Sequence, residues 1–404
     1  MYFEQIEKSR CLDSHHPNIT SIKKKRKAKM KIGITCYPTY GGSGVLATEL
    51  GLALAEMGHQ IHFISYAIPH RLNRFFENVF FHEVELSSYP LFEHSLYDLA
   101  LASKMMEVAD YEDLDLIHVH YAIPHAVSAY LAKQVQLKSN KDLKFITTLH
   151  GTDITLVGLE PSFMPLVKFS TEQSDGVTAV SRFLKEKTLT NYNIEKDIEV
   201  IYNFIDTTKF KPQNSDIFRH HIAPGGEKVL IHTSNFRVVK RVTDTIRILA
   251  QVKKEIPTKL LLVGDGPDRS ECERLTRELD LQKDVLFLGK QDGLTEILNS
   301  ADVFLMPSQS ESFGLSALEA MACGIPVVSS SVGGLPELII HNETGFIAEI
   351  GDIDRMAKYT IDLLTNEKKY KLFSKNSRDR AVNSFDKNLI VPKYVSYYEK
   401  VLKS

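Results

Sequence analysis

Two glutamates eight positions apart, Glu311 and Glu319, flank the start of a helix in "SQSESFGLSALEAMACGIPVVSS". The run passes from a strand end through a short loop into that helix. The N–H groups of Phe313, Gly314 and Leu315 then lie at a first helical turn, where no carbonyl pairs with them and the helix dipole favours an anion. Gly314 lets that anion approach the main chain closely. A phosphate repels a neighbouring carboxylate, so Glu311 must accept from hydroxyls or stand off the charge, and sugar or ribose hydroxyls meet the first demand. The plainer alternative is that Glu311 caps the helix and Glu319 is solvated.

A second group of residues is cationic. "SNFRVVKR" carries Arg237, Lys240 and Arg241 into one strand-end loop. Basic residues that open a helix oppose its dipole. A ligand explains them better, and a diphosphate leaving group, which gains negative charge as its bond to a sugar breaks, is the chemistry they suit. A solvated charged turn is the alternative.

A third group is the histidines of "IHVHYAIPH" (His118, His120, His125) and "TTLHGTD" (His150, with Asp153). No further ligand recurs at a fixed offset from them, so we expect no metal. They are cleft-lining hydrogen-bond donors or buried core histidines. "DLD", Asp113 to Asp115, imitates a metal-binding pair but precedes its strand, at the end away from the expected cleft. "LLVGDGPD" is another glycine turn at a strand end, read as an ordinary β-to-helix turn with direct ligand contact as the alternative. Finally, "YGGSG", Tyr40 to Gly44, opens a helix after a strand without the spacing of a dinucleotide fingerprint. Its amides suit some other anion.

These groups need rigid elements to hold them. From Lys31 the chain alternates apolar strand runs with helical segments, the pattern of a parallel sheet covered on both faces. "KIGITCY", "QIHFISY", "LDLIHVHY", "KFITTLHG" and "GVTAVS" are expected strands. The helix after the glycines repeats apolar residues at Leu46, Leu50, Ala53, Leu54 and Met57, and Gly58 stops it. After about Asn203 the pattern restarts with "KVLIHTSN", "KLLLVGDG", "VLFLGK", "DVFLMPS" and "PVVSS". We therefore expect an α/β fold of two Rossmann-like doubly wound domains, 30–202 and 203–384, facing a cleft lined by strand-end loops. Residues 385–404 form a last helix expected to return to the first domain.

The 404 residues are 43% hydrophobic and 25% charged with a net charge of −2, so nothing in the overall charge favours nucleic acid or an anionic membrane. No apolar run approaches the ~20 residues of a membrane span. The four cysteines show neither close pairing nor metal-ligand spacing, which suits a reducing cytoplasm. Residues 1–29 are polar and aperiodic, ending near "KKKRKAKMK", and are expected to be a disordered extension without the apolar core of a signal peptide. Folded sequence, and by our reading translation, starts near Met30.

The Glu311-x7-Glu319 spacing, "ESFGLSALEAMACGIPVV" around it and "VGGLPELI…ETGF" after it resemble the retaining glycosyltransferases of family 4, whose fold is called GT-B. The resemblance runs from Lys31 to the C-terminus. "KIGITCYPTYGGSGVLATELG", "HVHYAIPHA", "TTLHGTDIT" and "LLVGDGP…VLFLGKQD" look most like the members that open bacillithiol biosynthesis. Those move N-acetylglucosamine from UDP-GlcNAc to the hydroxyl of L-malate without a metal cofactor. The resemblance implies that Glu319 accepts from the uridine ribose and Glu311 contacts sugar hydroxyls. Amides around Phe313, Gly314 and Leu315 would hold diphosphate, with Lys240, Arg237 and Arg241 as its cations. Lys290 and Gln291 would border the uracil, and His120 would approach the reacting carbon. The family's favoured account is a front-face displacement in which the leaving phosphate takes the acceptor proton. One departure is Asn235, which stands where the family carries arginine, so Arg237 or Arg241 must supply that charge.

Malate brings two carboxylates, for which the amides of Gly42, Ser43 and Gly44, with Tyr121 and Thr148 as hydroxyl donors, are the candidate cradle. Lys168 is a further candidate cation or a surface lysine. A family-4 enzyme with a lipid or other acceptor, a UDP-GlcNAc 2-epimerase and a non-catalytic sugar-nucleotide binder are the rival readings. A dinucleotide oxidoreductase lacks its glycine fingerprint here. Homo-oligomerisation is left open.

Overall fold

The computed structural model describes residues 29–39, 41–72, 75–86, 96–139 and 141–404. The expected extension, Lys29 excepted, lies outside the described residues, as does Cys11. Cys36, Cys272 and Cys323 are free and buried.

Two parallel sheets organise the chain. The first holds β1 (Lys31–Thr35), β2 (Gln60–Ser65), β3 (Val79–Glu83), β4 (Leu116–His120), β5 (Lys144–Leu149), β6 (Gly176–Ala179) and β7 (Glu199–Val200), in the order β3-β2-β1-β4-β5-β6-β7. The second holds β8 (Lys228–Ser234), β9 (Thr258–Gly264), β10 (Val285–Gly289), β11 (Val303–Met306), β12 (Val327–Ser330) and β13 (Gly345–Ala348), in the order β10-β9-β8-β11-β12-β13. Both are doubly wound, as expected. Three strands escaped the sequence reading. β3 is a half-exposed edge strand without clean alternation, β7 has two residues, and β13 lies inside a stretch read only as a motif.

The helix Gly42–Glu56 differs from the one-faced helix expected. Eleven of its fifteen residues are buried, so it is covered on two sides rather than amphipathic. One side packs on Ile32 and Ile34 of β1. The other meets the chain's last helix, Lys387–Val401, whose Ile390, Val391, Tyr394, Val395, Tyr398 and Val401 join the same core. Each large aliphatic buried there contributes about 1.5–3 kcal/mol, so this return of the C-terminus is a strong tie. Met57, expected on the apolar stripe, is instead 46% exposed beyond the helix end, while Gly58 (φ +92°) stops the helix as expected.

Strand order reverses beside the first strand of each sheet, between β1 and β4 and between β8 and β11. Crevices open at the carboxyl ends of such pairs. The glycine loop follows β1, the Tyr121 loop follows β4, the cationic loop follows β8 and the Glu311 loop follows β11. The sheet topology therefore gathers the chemistry-bearing residues at two facing crevices.

Candidate active site

In the second domain, Gly314 caps the helix Leu315–Ala322 with φ +97°, a left-handed conformation that favours glycine, and no side chain occupies the helix start. Phe313 beneath it is buried against Tyr202 and Phe385. Gln309 N donates to Val239 O at 2.7 Å, tying the β11 loop to the cationic loop. Across that tie Lys240 Nζ donates to a Glu311 carboxylate oxygen. Cation and carboxylate thus already stand together at the helix N-terminus.

The other two cations separate. Arg241 Nε donates to Asp244 Oδ2 at 2.6 Å, and buried Asp244 also accepts from Arg247 at 2.9 Å. Arg241 is thus held by Asp244, where the sequence shows three cations close together but not the acid that pairs with one. Arg237 is exposed and makes no ion pair among the described residues, so the geometry favours it for the charge missing at Asn235.

Glu319 lies inside the helix with 5% exposure. Burial pushes its carboxyl up, and the Arg71 guanidinium holds it back. Arg71 Nη2 is 3.4 Å from Glu319 Oε1, while its Nη1 donates to Glu49 at 2.9 Å. Sequence reasoning missed Arg71: "PHRLN" after β2 carries no motif, and only the facing of the domains brings it to Glu319. Lys290 and Gln291 follow β10 on the exposed side, with Gln291 Nε2 donating to Leu288 O at 2.5 Å.

The first domain meets this half closely. A Cβ on Gly42 would lie 3.8 Å from Leu315 Cδ2, so the starts of the two helices face one another. Ser312 Oγ lies 1.6 Å from where a Cβ on Gly151 would stand, so the His150 loop rests directly on the Glu311 loop. Gly41 caps the first-domain helix without a side-chain bond, and its first turn holds no acid. Ser43 Oγ and Tyr121 Oη share a 2.5 Å hydrogen bond across the β1 and β4 loops.

Two expected acceptor residues are placed elsewhere. Gly44 is buried, and a Cβ there would sit 2.3 Å from Tyr37 O and 2.9 Å from Thr39 O. Its glycine is needed for loop packing, and it does not line the crevice. Thr148 is fully buried, bonded to His118 Nε2 and Thr178 Oγ1 at 2.6 Å each. It belongs to a core network continued by His118 Nδ1 to the Tyr398 hydroxyl at 2.8 Å. A β5 residue that points inward cannot be told from one at the strand mouth by sequence. Lys168 sits at the surface, donating to Asn193 O at 2.9 Å.

His120 is fully buried. Its Nδ1 lies 2.8 Å from His150 Nε2, and its Nε2 has no partner. Burial and its histidine neighbours hold its pKa well below the usual range, so the ring is neutral. His125 Nδ1 donates to His120 O at 2.6 Å, because a carbonyl can only accept. Asp153 accepts from Ala122 N (2.8 Å) and Gly151 N (3.0 Å), locking the two histidine loops together, and burial pushes it up to about 6. The arrangement offers two helix N-termini, one paired and one exposed cation, two carboxylates and a neutral imidazole with a free nitrogen. These are the parts for holding a sugar nucleotide beside a second anion.

Comparison with known proteins identifies the family. Residues 40–209 match the family described as Glycosyltransferase Family 4, and residues 213–380 match Glycosyl transferases group 1. The chain is 48% identical over 376 residues to the N-acetyl-alpha-D-glucosaminyl L-malate synthase of Bacillus anthracis, covering 93% of this chain and 98% of that one. Among solved structures, HepE of Anabaena in complex with UDP-glucose superposes with a TM-score of 0.77 at 21% identity, over 92% of this chain and all of that one. Sucrose-phosphate synthase from Thermosynechococcus elongatus gives 0.75 at 23% identity, over 93% and 100%. With both crevices built as described and the relative aligned nearly end to end, the chain belongs to the family 4 glycosyltransferases and has the GT-B fold.

Proposed function

We propose that the protein transfers N-acetylglucosamine from UDP-GlcNAc to the hydroxyl of L-malate with retention at the anomeric carbon. The observation that carries this reading is the opposition of two uncapped helix N-termini, one per domain. Only the second has a lysine and a carboxylate beside it, which suits diphosphate and sugar. The first, with Ser43 and Tyr121, is left for the acceptor carboxylates.

On binding, diphosphate draws Lys240 from Glu311, which frees Glu311 for sugar hydroxyls. Glu319 accepts from the ribose. As the bond from C1 to the phosphate oxygen breaks, Lys240, Arg237 and the helix amides stabilise the charge that develops on UDP. The malate hydroxyl oxygen bonds to C1 from the same face, and its proton passes to the departing phosphate oxygen. His120, buried with an unpartnered Nε2, meets the sugar only once the loops above it part, and then serves as a neutral hydrogen-bond group. No step needs a metal. The Bacillus anthracis relative, whose name gives N-acetyl-alpha-D-glucosaminyl L-malate as what it makes, supports the choice of acceptor. Among the described residues no helix is long and apolar enough to cross a membrane.

The test is purified protein with UDP-GlcNAc and separate acceptors, read by mass spectrometry. L-malate is expected to give a GlcNAc adduct with stoichiometric UDP. No adduct with malate despite UDP binding would remove the acceptor assignment.

A further inference from the structure

A cluster outside the crevice has no part in this chemistry. His62 lies on β2 and His82 on the edge strand β3. Their register pairs His62 with Phe80 and Ile64 with His82, so both imidazoles stand on one face of the sheet. His62 Nδ1 is 2.9 Å from His82 Nε2, and the rings stack at 5.2 Å. Glu112, in the last turn of the helix Tyr97–Glu112, meets them. One ligand atom from each of the three residues lies within 4.8 Å of the others.

We propose that His62, His82 and Glu112 form a structural site for a divalent transition-metal ion of the zinc type. Two imidazoles and a carboxylate are borderline ligands suited to zinc, with solvent able to complete a tetrahedron. Metal–nitrogen bonds of about 2.0–2.1 Å at a tetrahedral angle put two nitrogens about 3.4 Å apart. A small opening of the histidine pair therefore admits the ion. In that pair one nitrogen already offers a lone pair; the other does so once its proton moves to the ring's second nitrogen.

Two carboxylates, Glu112 and Glu107, and two ammonium groups, Lys31 and Lys104, surround the pair, and Glu112 is the carboxylate that reaches both imidazoles. The helix Tyr97–Glu112 brings no basic residue of its own in its last turn. Glu107 and Asp110 have lysine partners, Lys104 and Lys141. The Glu112 carboxylate has none among the described residues, since Lys31 Nζ donates to the Glu112 main-chain oxygen at 2.8 Å. The ion would join three elements and pin β3, which among the described residues pairs only with β2. Glu112 precedes β4 at the end opposite the crevice, so the role is structural rather than catalytic.

The experiment uses untagged, chelator-stripped full chain titrated with zinc against a competing chelator, and with cobalt(II) for its visible ligand-field bands. The expected result is one saturable equivalent, tetrahedral cobalt bands and a raised Tm. His82→Ala and Glu112→Gln should each weaken zinc by about tenfold or more, with transferase turnover unchanged by zinc loading. Glu112→Gln keeps the side-chain shape, so it decides the matter if His82→Ala proves unstable. Non-saturating binding, or wild-type zinc affinity in Glu112→Gln, would overturn the site. Neither result bears on the transferase assay.

Discussion

Replacing Lys240 by methionine tests the pairing at the centre of the crevice. Lys240 has two tasks in the proposed cycle: it neutralises Glu311, whose side chain is only 12% exposed, and it stabilises the departing diphosphate. Loss of a preorganised donor to a developing oxyanion costs about 3–4 kcal/mol. The uncovered Glu311 then faces the phosphates; at ~5 Å and an effective dielectric of ~20, like charges repel by about 3 kcal/mol. Part of that is screened at an open crevice, so Lys240→Met is expected to lower kcat/KM by about 10³–10⁴. Adding Glu311→Gln removes the repulsion and should recover about one to two orders of magnitude, but not the leaving-group stabilisation. Initial rates of UDP release at saturating malate, with UDP affinity by calorimetry, separate the two. Lys240→Met within about threefold of wild type would refute the reasoning. So would a double variant as fast as wild type, which would reduce Lys240 to a counter-ion of Glu311.

Three further outcomes are expected. Arg237→Ala should raise the UDP-GlcNAc KM by about tenfold, whereas Arg241→Ala, which only releases Asp244, should leave it nearly unchanged; equal effects in donor titrations would contradict the assignment. Ser43→Ala or Tyr121→Phe should raise the malate KM several-fold more than the donor KM, and the reverse ratio would return the glycine loop to the donor. Acidification should destabilise the fold: burial lowers His118 to about 3, His125 to about 4 and His150 to about 3. Their unfolded counterparts titrate near 6.5, so the unfolded chain takes up protons first, and stability present above that pH is lost as pH falls toward the folded values. The three together cost about 5 kcal/mol between pH 7 and pH 5. Asp153, raised to about 6, works in the opposite direction and offsets about 1 kcal/mol. Urea unfolding at the two pH values measures the difference, and equal stability would show that the histidines are not neutral in the fold.

Much of the site was legible from local pattern. Glycine next to a helix start, cations in a strand-end loop and alternating strand and helix runs are short-range features, and each element appears where its residues put it. What escaped notice were properties of pairing and direction. β3, β7 and β13 are short or exposed, so their periodicity is weak. Sequence shows that Thr148 lies near the end of a strand, not that its hydroxyl meets His118 in the core.

By itself the sequence determined two doubly wound domains and the helix N-terminus bracketed by Glu311 and Glu319, because backbone amides and spacing need no distant partner. Only the tertiary structure decided which charges remain available. Asp244 takes Arg241, Glu311 takes Lys240 and Arg71 crosses from the other domain to Glu319. Ion pairs act through a few ångströms of space whatever the sequence separation. The identity of a charged residue therefore says what it could do, and its neighbours in the fold say whether it is free to do it.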